Sequence, residues 1–485
     1  MPNGQRRVHS GRGGDPHSEA HPVQEHPAIR SVALLVLLAA LGVADAAQLD
    51  DYIAKPDASY TWRAVSTERH PEGVYAVLQL TSQSWRSSTD VDRVVWRHWL
   101  EVYVPNQVEH DTGLLVVSGG DESTPPPAKP DGELAKTAVS AKAVVARVRN
   151  VPNQPLVFKS DPQRRSRHED DILAFCWDRH LATGDPEWLV HLPMAKSAVR
   201  AMDAVIAFCA SGDHPATLRH FVVSGASKRG WTTWLAAAAD KRVVAVAPMV
   251  IDLLNLDPSF RHHHAAYGRY ADAVKPYVEN NIVQRMDQPA MKASLAILDP
   301  YAYRDRLTMP KLLINSTGDQ FFLPDSWRFY WNDLAGPKQL RYIPNTDHGL
   351  DRSAAESLRS FFIAVLAGRS LPAFTWREEA PGRLRVETKD APTRVLAWSA
   401  TNAAGRDFML RTIGPTWKSR ELDAVKPGVY VGEIPEPAKG WSAIVVELVF
   451  PDPSGSTSGI HLTTGVSVTP ARLPFPDRPD DAGRR

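Results

Sequence analysis

Two kinds of apolar pattern follow each other along the first part of the chain. Between about residues 47 and 105 the sequence is strand-like, since apolar and polar positions alternate in GVYAVLQLTSQSW and RVVWRHWLEVYVP. Later segments are uninterrupted apolar runs of the kind found in fully buried strands. These runs are TGLLVVSGG, SAKAVVARVRN, FVVSG, RVVAVAPMVID and PKLLINSTGD.

Segments with helical spacing separate these buried runs. Apolar residues recur every three or four positions in HEDDILAFCWDRHLATG, PMAKSAVRAMDAVIAFCA, RGWTTWLAAAAD, DSWRFYWNDLAG and AAESLRSFFIAVLAG. A long helical insertion, at about residues 255–300, lies between RVVAVAPMVID and PKLLINSTGD. Strands that alternate with helices predict an α/β fold, with a mostly parallel sheet covered by helices on both faces and an inserted cap.

The pattern changes again near Leu371. From there, short strands alternate with Pro and Gly in RLRVET, TRVLAWSAT, FMLRTI, VYVGEI, SAIVVELVF and IHLTTGVSVTP. About seven strands in roughly 110 residues predict a small immunoglobulin-like β-sandwich. We expect this sandwich to pack on the preceding domain without pairing its strands into the main sheet.

Length and charge narrow the class of protein. A chain of 485 residues is long for one domain. We predict a disordered N-terminus with a signal peptide at 1–46, an α/β domain at 47–370, the sandwich at 371–472 and a disordered tail at 473–485. Lys and Arg number 56 against 55 Asp and Glu, without a basic stripe, so no nucleic-acid partner is expected.

The N-terminal region carries an export pattern. The apolar run in SVALLVLLAALGVADAAQ ends at Ala44-Asp45-Ala46, which has the A-x-A form of a cleavage site. The run is short for a membrane span, and no cysteine follows it as a lipid attachment point. The sequence thus predicts a periplasmic or secreted protein without a stable membrane anchor after cleavage; the alternative is a buried core helix.

Cys176 and Cys209 are the two cysteines of the chain. An exported protein permits a disulfide between them. Both lie in helix-like stretches, so two buried thiols are an equally open alternative.

A serine stands between two glycines where a predicted strand becomes a helix. In FVVSGASKRGW, Ser227 follows Gly225 and Ala226, and Gly230 comes three positions later. A nucleophilic serine needs a tight strand-to-helix turn, because its hydroxyl must be exposed beside a helix N-terminus. Small neighbours make such a crowded turn possible. The pattern resembles G-x-S-x-G with the second glycine one position later, and an ordinary turn serine is the alternative.

The partners of a catalytic serine follow in the expected order. In α/β-hydrolases an acid and then a histidine lie on loops after later strands. KLLINSTGDQFFLPD is a strand that ends at Asp319, and QLRYIPNTDHGL is a strand that leads to His348. The sequence therefore predicts a catalytic triad of Ser227, Asp319 and His348 on an α/β-hydrolase fold.

Each triad assignment has an alternative. Asp319 is also a plausible turn-capping aspartate, and Asp252, after RVVAVAPMV, is the rival acid. His348 follows Asp347, and such a pair also occurs in surface turns. We expect Asp347 to point elsewhere.

An oxyanion hole requires two backbone N–H groups near the nucleophile. We assign one to Lys228, at the start of the following helix. The other is expected from the loop after LLVVSGG, at Gly119, Gly120 or Asp121, with Gly120 our choice.

Other polar residues near these motifs suggest substrate contacts. Lys228 and Arg229 follow the serine directly, which indicates either recognition of a carboxylate or phosphate, or surface cations and ion pairs. In RHHHAAYG, three consecutive histidines cannot all face one metal ion on a regular element. We expect one of these histidines or Tyr267 to line the cleft, and we retain Asp252 as a possible substrate contact. No P-loop, dinucleotide fingerprint or zinc pattern is present, so neither a metal nor an organic cofactor is expected.

Long stretches resemble one family of bacterial proteins. VSGASKRGWTTWLAAAADKRVVAVAPMVIDLLN is similar to the PhoPQ-activated pathogenicity-related proteins, whose relatives include a secreted autocrine proliferation repressor of amoebae. VPNQPL, HHHAAYGRYADAVKPY, DPYAYRDRLTMPKLLINSTGDQFFLPDSW and PNTDHGL also match, and the likeness extends from about residue 50 to 470. The resemblance implies an exported α/β-hydrolase-like domain with a C-terminal sandwich, and it implies no substrate.

Together these patterns predict an exported serine hydrolase. We expect an esterase or a peptidase-like acyl hydrolase that acts on a small molecule or peptide. The alternative is a non-catalytic envelope or secreted protein that binds or signals on a hydrolase scaffold.

Overall fold

The computed structural model describes residues 47–211, 216–452 and 458–475. The predicted signal segment and residues 476–485 of the predicted tail lie outside the described residues. Within the described ranges, no helix combines the length and the hydropathy needed to cross a membrane.

The strands follow the predicted apolar runs closely, and the runs without polar interruption form the most deeply buried ones. The strands are β1 (Thr61–His70), β2 (Gly73–Ser84), β3 (Val95–Pro105), β4 (Thr112–Val117), β5 (Val145–Val148), β6 (Leu156–Val157), β7 (Ser166–Arg167), β8 (His220–Ala226), β9 (Val243–Met249), β10 (Lys311–Ser316), β11 (Lys338–Ile343), β12 (Phe374–Ala380), β13 (Arg383–Thr388), β14 (Arg394–Asn402), β15 (Lys418–Glu421), β16 (Val429–Glu433), β17 (Trp441–Phe450), β18 (Ile460–Thr463) and β19 (Ser467–Thr469).

The helices lie mainly between the strands of the first domain. They are α1 (residues 47–54), α2 (Gly132–Ala141), α3 (Glu169–Thr183), α4 (His191–Ser211), α5 (Lys228–Ala239), α6 (Leu256–Tyr267), α7 (Lys275–Glu279), α8 (Pro289–Leu298), α9 (Ser353–Leu366) and α10 (Leu410–Ile413). Short 3-10 turns add Pro186–Trp188, Asp272–Val274, Val283–Arg285, Pro300–Tyr303, Ser326–Phe329 and Trp331–Asp333.

The central sheet has the strand order of an α/β-hydrolase. Its order is β1-β2-β3-β5-β4-β8-β9-β10-β11, and the six strands from β5 to β11 are parallel. The order reverses between β5 and β4, as in other doubly wound sheets, and the carboxyl ends of β8, β10 and β11 lie on one edge. The predicted α/β-hydrolase fold is confirmed.

Helices cover both faces of this sheet. α3, α4, α5 and the helices of the insertion pack on one face, where Trp177 and Trp234 are buried in the larger apolar core. α2 and α9 pack on the other face, where Phe361 and Phe362 belong to the second core. The insertion between β9 and β10 contains α6, α7 and α8, in the region predicted as a cap.

The C-terminal strands form two facing sheets, yet they are not separate from the central sheet. β12, β13 and β16 make one small sheet, whereas β14, β15, β17, β18 and β19 belong to the large one. β18 pairs antiparallel with β11 at Leu340 and Thr463. Our expectation that these strands stay out of the main sheet is therefore wrong, because β11 would otherwise present an open edge.

Three local predictions are also wrong. Residues 47–54 form a helix, because Leu49 and its neighbours at helical spacing pack into the core. DSWRFYWNDLAG forms two 3-10 turns instead of one helix. Trp327 donates a hydrogen bond to Val466 O and Tyr330 donates one to Asp252, so the two side chains bind partners in different parts of the chain. FMLRTI forms the short helix α10.

The two cysteines are not bonded to each other. Cys176 in α3 and Cys209 in α4 are both buried free thiols. Of the two alternatives that the sequence leaves open, the structure has the one without a disulfide.

Candidate active site

Ser227 occupies a strained turn between β8 and α5. Its φ is 59° and its ψ is −129°, a combination that residues with a side chain rarely adopt. The turn is held by two backbone hydrogen bonds, from Ser227 N to Met249 O (2.8 Å) and from Trp231 N to Ser227 O (3.0 Å). The serine is half-buried at the carboxyl end of the sheet, so its hydroxyl is accessible.

The two glycines of the motif are required by close backbone approaches. A Cβ at Gly225 would lie 2.6 Å from Arg229 O, and one at Gly230 would lie 2.9 Å from Gly225 O. The start of α5 thus passes directly over the end of β8. This explains why the second glycine stands three positions after Ser227 rather than two.

Asp319 and His348 form a hydrogen-bonded pair after β10 and β11. Asp319 Oδ2 lies 2.8 Å from His348 Nδ1, and the two side chains are 3% and 15% exposed. Asp319 Oδ1 accepts a second hydrogen bond from Phe321 N at 2.7 Å, which fixes the carboxylate. Among the described residues, nothing accepts from or donates to His348 Nε2, so no hydrogen bond joins it to Ser227. Such a gap is common before substrate binds.

Residues of the C-terminal region hold both of these loops. Leu410 N in α10 donates to Gly318 O at 2.9 Å, directly before Asp319. Asn345, three positions before His348, exchanges two hydrogen bonds with the backbone of Trp417, each 2.9 Å long. The segment between β14 and β15 therefore contacts the acid loop and the histidine loop at once.

A buried carboxylate strengthens this junction. Asp325 is fully buried and is bonded to Arg406 (2.6 Å) from the same C-terminal segment and to His262 (3.0 Å) from α6. Burial alone would raise the pKa of Asp325, but the charges of Arg406, His262 and Arg328 together outweigh burial and hold it well below its usual range. Asp325 and Arg406 were not identified from the sequence, because nothing in either segment indicates the other.

A cavity of about 30 Å³ opens beside Ser227. α3, α5, the insertion and the acid loop all contribute to its wall. His348 does not line it directly, but its ring packs on Phe321, a wall residue, with ring centroids 4.4 Å apart. His348 thus lies directly behind one residue of the wall of the cavity that Ser227 lines.

Lys228 and Arg229 are paired with acidic residues of α3. Lys228 Nζ lies 2.7 Å from Glu169 and 3.0 Å from Asp170, and the Arg229 guanidinium makes two 2.6 Å hydrogen bonds to Glu169. Arg229 also donates to Val151 O. Both cations are buried, so the ion-pair alternative describes them, and Arg229 does not line the cavity as a substrate contact. The acidic pair lies in HEDD, a sequence stretch that could have suggested these partners.

The oxyanion assignments remain predictions. Lys228 is the first residue of α5, and N–H groups in the first helical turn have no partner within the helix. Gly120 O accepts from Gln154 at 2.7 Å, and neither Gly119 nor Gly120 is among the residues that line the cavity. Asp121 faces a different cavity beside Arg97.

Asp252, the rival acid, has other partners. Its two carboxylate oxygens accept from Tyr330 and Tyr342, each at 2.5 Å. Burial raises its pKa to about 7, against the opposing effect of these hydrogen bonds. Both carboxylate oxygens of Asp252 are therefore hydrogen-bonded to tyrosines, whereas the carboxylate of Asp319 contacts His348.

The consecutive histidines of α6 serve different partners. His262 contacts Asp325, whereas His263 accepts from Ala271 N and lines the cavity. Tyr267 packs edge-on against His263 (4.9 Å) without lining the cavity itself. In the part of the chain that the structure describes, no group of three or more His, Cys, Asp or Glu side chains is arranged to hold a metal ion.

Comparison with known proteins places this arrangement in a family. The family model described as PhoPQ-activated pathogenicity-related protein matches residues 49–409. The chain belongs to the PhoPQ-activated pathogenicity-related protein family. A curated member of the wider family, autocrine proliferation repressor protein A of Dictyostelium discoideum, is 33% identical over 470 residues, which cover 91% of this chain and 94% of that protein. The resemblance predicted from the motifs is confirmed.

Solved structures of esterases are more distant from this family member. Acetyl xylan esterase 1 from Thermoanaerobacterium sp. is 14% identical, with a TM-score of 0.47, and covers 67% of this chain and 93% of its own. An acetyl xylan esterase from Paenibacillus sp. R4 is 16% identical, with a TM-score of 0.46, and covers 66% and 92%. These values are too low to indicate a substrate, and the fold assignment rests on the strand order.

Proposed function

We propose that this protein is an exported serine hydrolase, an esterase or peptidase-like acyl hydrolase with Ser227, His348 and Asp319 as its triad. The observation that carries the proposal is the 2.8 Å hydrogen bond between Asp319 and His348 Nδ1, at the sheet edge where Ser227 occupies its strained turn. A histidine held at Nδ1 by a carboxylate keeps Nε2 available to take a proton.

In the proposed mechanism, Ser227 Oγ attacks the substrate carbonyl while His348 Nε2 takes the hydroxyl proton. The negative oxygen that develops is stabilised by Lys228 N–H and by a second donor, for which Gly120 N–H is our candidate. His348 then gives its proton to the leaving alcohol or amine, which leaves an acyl-serine. Water, deprotonated by His348, releases the acid and restores the serine.

Covalent labelling with a fluorophosphonate probe tests this chemistry. We expect the wild type to gain one probe mass at Ser227, and Ser227→Ala to gain none, as read by intact mass and peptide mapping. Ser140→Ala, on an exposed part of α2, is the matched control and should label like the wild type. A folded wild-type protein that resists the probe would falsify the catalytic proposal.

Export is the part of the proposal that rests on the sequence alone. The apolar run that ends at Ala44-Asp45-Ala46 supports it. N-terminal sequencing of the protein recovered from outside the cytoplasm should begin close to Ala47.

A non-catalytic role is the second candidate function. The relative named as an autocrine proliferation repressor favours it, because that name describes signalling rather than hydrolysis. The two proposals separate in one comparison: a Ser227→Ala protein that retains its full biological effect while wild type shows no labelling would support binding or signalling.

A further inference from the structure

The cavity beside Ser227 has a mostly apolar wall. Aromatic rings of Trp177, Trp231, Phe260 and Phe322 and the side chain of Leu253 form much of it. Leu253 is only partly buried, whereas the two tryptophans are almost completely buried, so the apolar surface continues inward from the opening. Such a wall favours a ligand group that leaves water readily.

The two charged residues that line the cavity, Asp170 and Lys228, belong to a network of balanced charge. Two carboxylates, Glu169 and Asp170, meet two cations, Lys228 and Arg229, at 2.6 to 3.0 Å. Burial would raise the pKa of Glu169, but hydrogen bonding from Arg229 and the charge of Lys228 hold it well below its usual range. The network thus contains two acidic and two basic side chains whose formal charges sum to zero, which leaves no net charge to attract an ion.

The other titratable groups of the wall are neutral and already paired. Tyr277 OH donates to Asp170 at 2.8 Å. His263 Nε2 accepts from Ala271 N at 3.0 Å, and burial lowers the pKa of His263 to about 3, so this ring is uncharged at neutral pH. A substrate carboxylate would find no unpaired cation among the described wall residues, because Lys228 is paired with carboxylates; the other polar side chains of the wall are the hydroxyls of Ser227, Ser259 and Ser326.

We propose that this cavity binds a small uncharged apolar group of the substrate, such as a short acyl chain, and excludes carboxylates, phosphates and sugars. This inference rests on the proposed hydrolase function for the reaction, but the binding itself does not require turnover. Burying an ion without a partner costs far more than burying a methylene chain gains. A sugar would lose many hydrogen bonds to water, and the three serine hydroxyls of this wall replace only a few of them.

Binding by Ser227→Ala provides the test, because this variant cannot turn a substrate over. Titration calorimetry with methyl butanoate, sodium monomethyl succinate and methyl α-D-glucopyranoside compares an apolar chain, a chain of the same length with a carboxylate at its far end, and a sugar. We expect methyl butanoate to bind at least about tenfold more tightly than monomethyl succinate, since the carboxylate must be desolvated. The glucoside should show no measurable binding.

A second substitution locates the binding. Leu253→Trp, combined with Ser227→Ala, should fill the cavity and weaken the binding of methyl butanoate by at least about fivefold. Val425→Trp in the same background adds an indole at a position that is 57% exposed in the C-terminal region, and it should leave binding unchanged. The three-probe comparison does not depend on the folding of Leu253→Trp.

The outcomes separate this inference from the proposed function. Monomethyl succinate or the glucoside binding as tightly as methyl butanoate would overturn the inference, as would absence of binding by all three probes. Undiminished binding to a folded Leu253→Trp protein would place the ligand elsewhere and overturn it too. Failure of the hydrolase proposal appears only in the fluorophosphonate experiment, where wild type would stay unlabelled.

Discussion

Ser227 is held by residues that lie close to it in the chain, whereas Asp319 and His348 are held by residues far away. The nucleophile turn depends on Gly225, Gly230 and a hydrogen bond to Met249 O. The acid and histidine loops depend on a segment that begins after β14, through Leu410 and through Trp417. The two sides of the site therefore have different requirements: one needs a local motif, and the other needs the C-terminal region in place.

This difference indicates a structural role for the C-terminal region. A sandwich attached to a hydrolase is readily interpreted as a docking module. Here β18 extends the central sheet, and the β14–β15 segment supplies Arg406 to the buried carboxylate of Asp325. Besides any binding role, the region thus completes the support of the proposed acid and base.

The largest effect that tests this comparison is expected from Arg406→Ala. Removing Arg406 leaves Asp325 buried without its main counter-charge, which should lower the free energy of unfolding by about 3 kcal/mol in urea denaturation. In native-state hydrogen exchange, the amides of Phe321 and Leu410 should lose protection while that of Ser227 keeps it, because its acceptor is Met249 O.

Arg411→Ala is the matched control for Arg406→Ala. It lies in the same segment, but its side chain is 44% exposed and stands 3.6 Å from Asp272. We expect this surface pair to contribute less than about 1 kcal/mol. Equal decreases in the free energy of unfolding for the two variants would contradict the proposed difference between the two sides of the site. Loss of hydrogen-exchange protection at the Ser227 amide before the Phe321 amide would contradict it as well.

The sequence predicted the local side of the site well. FVVSGASKRGW contains the strand, the turn and the helix start, because the residues that constrain Ser227 are within the motif or one strand away. The strands that lead to Asp319 and His348 were also predicted, since buried apolar runs are visible without knowledge of their neighbours.

The sequence failed where a structure depends on distant partners. FMLRTI has a strand-like composition, yet it forms α10, in which Leu410 N bonds to Gly318 O. Lys228 and Arg229 suggested an anion site because the sequence does not show that they have a partner in the fold. That partner, Glu169, lies about sixty positions earlier in the chain. β-strand edges present the same difficulty: nothing in the sequence of β18 indicates that it pairs with β11.

An intermediate effect is expected on the nucleophile side, from Gly225→Ala. The added methyl would stand 2.6 Å from Arg229 O, so α5 must shift, at a cost of about 2 kcal/mol. Labelling of Ser227 should slow, whereas the amides of Phe321 and Leu410 should keep their protection. Urea denaturation, probe kinetics and hydrogen exchange on one preparation measure all three quantities.

Gly132→Ala is the control for Gly225→Ala. No atom lies within 4 Å of a Cβ built at Gly132, which begins α2, so its stability should be unchanged or slightly higher. If Gly225→Ala behaves like this control, the close approach does not constrain the nucleophile turn.

The smallest effect concerns Asp252, which lies beneath the acid and histidine loops. Burial, opposed by hydrogen bonds from Tyr330 and Tyr342, raises its pKa to about 7 from the ordinary value of 3.8. At pH values between these two pKa values, Asp252 is protonated in the folded protein and ionised in the unfolded chain. This carboxyl group therefore makes the free energy of unfolding fall as the pH rises from about 4 to about 7.

Asp252→Asn should remove this contribution while leaving a side chain of nearly the same shape for Tyr330 and Tyr342. Asp299, whose pKa burial also raises to about 7, acts in the same direction, and His191, whose pKa burial lowers to about 3, acts in the opposite one. The difference in the free energy of unfolding between wild type and variant isolates Asp252, because the other groups are common to both.

Urea denaturation at several pH values between 4.5 and 7.5 should show that this difference shrinks as the pH rises. The exposed Asp347→Asn is the control. A constant difference across this range would mean that Asp252 is already ionised in the folded protein, with its negative charge close to Asp319.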